Sequence, residues 1–95
     1  MTELTMKVLG EMVKLTESSR HIPITRIYLN PQDWQEVKDS MEMLVAPAGI
    51  KVASSTAFGI LVQVSGALEP GTFVLEYMVL NNSHLVAYKV LDHES

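Results

Sequence analysis

Apolar residues in Thr2–Ser18 recur at Leu4, Val8, Met12 and Leu15, and Met6, Leu9 and Val13 widen the stripe. Steps of four, four and three are the period of one helix face. Glu3, Lys7, Glu11 and Lys14 fill the other side, and Thr2 is placed to cap the first turn. Ser18, Ser19 and Arg20 end the pattern ahead of Pro23. Gly10 costs a helix about 1 kcal/mol against alanine, so a close neighbour is expected there.

Ile22–Leu29 is rich in β-branched residues and reads as a strand, with Pro23 at its start or on a sheet edge. The sharpest local boundary follows it. In Leu29-Asn30-Pro31-Gln32-Asp33-Trp34, Asn30 is a strong N-cap, and Pro31 takes the first helical position, where no amide donor is needed. Asp33 lies near the positive end of the helix dipole, and Leu29 and Trp34 hold the two positions of a hydrophobic staple. Trp34, Val37, Met41 and Leu44 then form an apolar stripe. The helix should end by Ala46, because Pro47 disfavours helix in the residue before it.

The remaining pattern is β. Ile50–Ala53 follows Gly49, Phe58–Val64 is bounded by Gly66, and Thr72–Leu80 and His84–Leu91 are longer. Asn81-Asn82-Ser83 reads as the loop of a hairpin between the last two, and Glu69-Pro70-Gly71 as a turn ahead of it. The order α-β-α-β-β-β-β predicts an α+β fold, with two helices packed on a mostly antiparallel sheet of four to five strands. Residues 1–91 are expected to form a single compact domain, and 92–95 a polar C-terminal tail.

The sheet is apolar on both faces. Phe73, Leu75, Tyr77 and Val79 alternate with Val74, Glu76, Met78 and Leu80, while Val86, Tyr88 and Val90 oppose Leu85, Ala87 and Leu91. A sheet with one wet face alternates apolar with polar residues, and here Glu76 and Lys89 are the clear breaks. Either the helices divide between the two faces or the strands curl around their own core, or one face is an association surface. A homodimer is the favoured closed form of the last case. The contact residues are then Leu75 and Tyr77 on one face, or Met78 and Leu80 on the other.

Charge alters this picture in one place. The chain has 7 Lys+Arg against 11 Asp+Glu, a formal net charge of −4, with 47% hydrophobic residues among its 95. Asp33, Glu36, Asp39 and Glu42 lie on the second helix with only Lys38 among them. They spread around its polar half without converging on a point. Glu36, Asp39 and Glu42 are therefore read as a contact for a basic protein partner, or simply as a solvated face. An acidic chain has no surplus for sequence-independent nucleic-acid binding, and Arg20, His21 and Arg26 are its only local basic cluster. No apolar stretch approaches the roughly 20 residues of a membrane span, and charges interrupt any signal-like segment, so a cytoplasmic protein is expected.

Candidate chemistry is thin. There is no Cys, and His21, His84 and His93 have no ligand spacing. Gly59, Gly66 and Gly71 fit neither a dinucleotide nor a phosphate loop, and no nucleophile elbow occurs. No catalytic, cofactor or metal residue is assigned. The expectation is a small non-catalytic protein–protein interaction module that self-associates. Compact, cysteine-free chains of this kind are common among phage-encoded proteins, so the setting would be an accessory or inhibitor protein acting on a host protein in the host cytoplasm, or a virion subunit. A small enzyme or ligand-binding domain is the alternative. It would have a pocket between helices and sheet, with Tyr28, Tyr77, Tyr88 or His84 as polar handles.

Overall fold

The computed structural model describes residues 2–17, 22–49 and 55–90. Helix α1 spans Glu3–Thr16, strand β1 Ile24–Leu29 and helix α2 Pro31–Val45, which runs into a short 3-10 turn at Ala46–Ala48. Strands β2 (Thr56–Ala57), β3 (Ile60–Val64), β4 (Thr72–Val79) and β5 (Asn82–Lys89) follow. The five strands form one mixed sheet in the order β2-β3-β1-β4-β5. β1 runs parallel to β3, and the other neighbours are antiparallel. The fold is α+β, as the pattern predicts. The expected strand at Ile50–Ala53 and the tail at 92–95 lie outside the described residues.

Both helix starts form as the sequence dictates. The Thr2 hydroxyl accepts from the Thr5 amide at 3.2 Å. Asn30 does more than cap. Its Oδ1 accepts from the Gln32 amide at 2.8 Å, and its Nδ2 donates to the Leu68 carbonyl at 2.8 Å. The buried Asp33 carboxylate accepts the Gly71 amide at 2.7 Å. Together Asn30 and Asp33 tie the β3–β4 connection to the start of α2. Asp33 is thereby removed from the acidic surface in which the sequence places it.

One core joins Leu4, Val8 and Met12 of α1 and Val37 and Met41 of α2 to Ile24, Ile27, Leu29, Phe73, Leu75 and Ala57 of the sheet. Ile60, Val62, Val86 and Tyr88, from the same side of their strands, pack against it, as does Trp34. Both helices therefore cover one sheet face. A β-bulge between Ile24 and Arg26 makes this possible in β1. The extra residue sets Ile24 and Ile27 on the covered side and leaves Arg26 and Tyr28 on the other.

The helix stripes are narrower than predicted on one flank. Met6, Val13 and Leu44 are exposed, whereas Thr5 and Glu11 are buried. Thr5 Oγ1 donates to Ser40 Oγ at 3.2 Å, a buried bond between the two helices. Small hydroxyl residues at the crossing satisfy each other and let the backbones approach. Gly10 is exposed, and among the described residues a Cβ there would meet nothing within 4 Å, so no described neighbour explains it.

Candidate interaction surface

The face opposite the helices is uncovered by any described element. Tyr28 of β1 lies between Gln63 of β3 and Val74 of β4, and Ala87 of β5 continues the row. The next row is Arg26, Glu76 and Leu85, and the next carries Met78 and Ser83. Leu61 lies on the same side of β3 as Gln63.

Polar groups occupy the middle of this face. Arg26 Nη1 donates to Gln63 Oε1 at 3.3 Å and, at 3.5 Å, to the Tyr28 hydroxyl. The guanidinium carbon stands 6.0 Å from the Tyr28 ring centre. Arg26 Nε is 3.9 Å from Glu76 Oε1 and, among the described residues, has no hydrogen-bond partner. The Thr25 hydroxyl, on the bulge, donates to Glu76 Oε1 at 2.9 Å. Apolar surface rings this island. Leu85 is 64% exposed, Leu61 is also exposed, and Tyr28, Val74, Leu85 and Leu68 line a shallow hollow of about 160 Å3. Tyrosine and arginine set among aliphatic side chains are enriched where proteins make contact.

The β4–β5 hairpin differs from its predicted form. Its loop is Leu80-Asn81, both at positive φ (52° and 67°), and Asn82 and Ser83 belong to β5. Two consecutive left-handed residues make the tight turn that matches strand twist. Asparagine suits that conformation and leucine does not. Leu80 is nevertheless there and 89% exposed. A hollow of about 680 Å3 lies beside it, lined by Ile22, Pro23, Met78, Val79, Leu80 and Asn81. It sits at the hairpin end, not between helices and sheet, and among the described residues no titratable side chain lines it.

The residues proposed as contacts scatter. Leu75 is fully buried under the helices and presents no surface to a partner. Tyr77 is on the same strand face but further out, stacked on His84 with ring centres 5.4 Å apart. Met78 lies on the open face, where its sulfur accepts from the Ser83 hydroxyl at 3.2 Å. Leu80 is on the turn and belongs to neither face. Glu36, Asp39 and Glu42 stay on α2, with Asp39 and Glu42 exposed, Glu36 partly so, and Asp39 bonded to Gln35 Nε2 at 2.9 Å. They are not joined to the sheet surface.

A second ionic group lies on the covered side. Glu11 Oε2 accepts from Lys7 Nζ at 2.8 Å, with Lys14 Nζ at 3.5 Å. The Lys7 hydrogen bond holds the Glu11 carboxyl below its ordinary range, against the opposing effect of burial. Tyr88, stacked on Phe73 with centres 5.2 Å apart, has its phenol pushed up, first by burial and then by the Glu11 charge. The sequence shows Lys7 and Glu11 only as an outward helix pair, and nothing local to them signals the tyrosine. Among the described residues no three His, Asp or Glu side chains are grouped to hold a metal ion, and no helix is long and apolar enough to cross a membrane. No protein-family model, curated protein or solved structure matches the chain.

Proposed function

We propose that this protein is a non-catalytic protein–protein interaction module that self-associates through its β region and meets other proteins with its uncovered sheet face. One observation carries the reading. Both helices lie on the same side of the sheet, so Leu61, Tyr28, Val74, Met78 and Leu85 surround the Arg26–Glu76 pair with no described element over them. The acidic residues Glu36, Asp39 and Glu42 favour a basic partner and act mainly on the rate of encounter. A role as an accessory or inhibitor protein of the phage type is the biological setting that the size and cysteine-free composition support.

Sedimentation equilibrium from low to high micromolar concentration tests self-association. A concentration-dependent rise to twice the 10.5 kDa chain mass is expected. A protein that stays monomeric throughout removes that half of the reading. Surface contact is tested with Tyr28→Lys and Leu61→Lys, which place charge on the open face without touching the core. Each should abolish binding of a verified partner while the circular dichroism spectrum and Tm stay at parent values. Unchanged binding would rule the face out.

A further inference from the structure

The two edges of the sheet are unlike. One ends in β2, only two residues long. The other ends in β5, eight residues with no proline, no bulge and a single lysine. The tight loop makes Val79 and Asn82 a hydrogen-bonded pair, and bonded and unbonded pairs alternate from there. The bond from the Val90 amide to the Gly71 carbonyl, 2.7 Å, continues the same alternation beyond the strand end. The even residues of β5 therefore bond inward to β4. The N–H and C=O groups of Ser83, Leu85, Ala87 and Lys89 point away from the sheet, and no described strand pairs with them. A long edge strand without proline or bulge is a template for another strand.

Resting on the self-association reading above, we propose that the occupant of this edge is the β5 strand of a second copy, antiparallel, with the two-fold axis at Val86. This register uses the whole edge. Ser83 pairs with Lys89 of the second copy and Leu85 with Ala87, so every outward backbone group from Ser83 to Lys89 gains a partner. On the covered side His84 meets Tyr88 of the second copy, between the Tyr77–His84 and Phe73–Tyr88 stacks already present. On the open side Leu85, 64% exposed in one chain, lies against Ala87 of the other. The charges permit it. β5 carries no acid, and Lys89 faces a serine rather than a second lysine. The contact is isologous and closes as a dimer, giving one continuous sheet of ten strands, five from each copy.

The chain has no cysteine, so introduced thiols report the register without background. Val86→Cys should form a covalent dimer by itself under a glutathione redox buffer. Leu85→Cys and Ala87→Cys should cross-link to each other when mixed and much less with themselves. Ala87→Pro removes an outward amide that the β4–β5 ladder does not use, so the fold should survive. It should weaken dimerisation about tenfold or more in sedimentation. A parent that dimerises, with Ala87→Pro dimerising equally and Tyr28→Lys not, would overturn edge pairing and leave self-association through the sheet face standing. Leu85→Cys cross-linking to itself more readily than Val86→Cys would overturn this register. A parent that is monomeric at every concentration would overturn both readings, and an edge that accepts only a foreign strand would show that result.

Discussion

Phe73 and Val74 are neighbours on β4 and live in different surroundings. Phe73 has no exposure, stacks on Tyr88 and lies under the helices. Val74 faces outward between Tyr28 and Ala87. The same contrast runs down the strand, with Leu75 sealed and Glu76 beside Arg26 in a part-exposed ion pair. Phe73 and Val74 are both apolar, and coverage separates them, whereas further out the open face also carries Arg26, Gln63 and Glu76 where the covered face stays apolar. Burial is a property of what packs above a residue, so apolar alternation shows that two faces exist without showing which one is dry.

The largest test of that contrast is a pair of truncations one residue apart. Phe73→Ala should cost about 3–5 kcal/mol, while Val74→Ala should cost under about 1 kcal/mol, both by urea unfolding. Equal losses would mean that the open face is a second core. A finer test compares the carboxylates of the two faces. Glu76→Gln removes a long, part-exposed pair and should change stability by about 0–1 kcal/mol. Glu11→Gln should cost more at neutral pH, because Glu11 is nearly buried and held ionised by Lys7. Its folded pKa lies below the ordinary 4.5, so its contribution is fully present above that value and fades as pH falls through the folded pKa. Thermal melts from pH 7 to pH 3 should therefore show parent and Glu11→Gln converging in acid. The smallest effect has the opposite sign. Gly10→Ala on the solvent side of α1 should stabilise the protein by about 0.5–1 kcal/mol, read from the urea midpoint.

Features set by adjacent residues were readable from the sequence. The start of α2 needs only Asn30, Pro31 and Asp33, and it forms where they place it. The order of the two helices with β1, β3, β4 and β5, and the last hairpin, were of this kind, whereas β2 at Thr56–Ala57 was not anticipated and Phe58, expected to open a strand, sits in a turn at positive φ. Features decided by distant partners were not. The bulge at Ile24/Arg26 has no local signature, yet it decides which side of the sheet Arg26 occupies. Leu75 and Tyr77 share a strand face, and only the reach of the helices makes one core and the other surface. Asp33 looked like one more acid on a charged helix, because its partner, the Gly71 amide, lies 38 residues away. The hairpin loop, expected at Asn81-Asn82-Ser83, starts one residue earlier and is one residue shorter for a different reason. Asn81-Asn82 suits left-handed backbone better than Leu80-Asn81 does, and strand pairing overrode that preference.

The central place of β1 also governs how the chain can be made. Ile27 has Val62 on one side and Leu75 on the other, 35 and 48 residues further along. The β4–β5 hairpin, by contrast, closes within its own neighbourhood. Contacts of such long sequence separation form late, because the intervening chain must first be confined. During synthesis β1 and both helices leave the ribosome before either flanking strand exists. The apolar floor beneath α1 is completed only when Phe73 and Leu75 arrive. Until then an Ile- and Leu-bearing strand waits with its β4 edge bare, a substrate for chaperones or for a second nascent chain. A fragment ending before β4 repeats that state permanently, and its fate is aggregation rather than a smaller native domain.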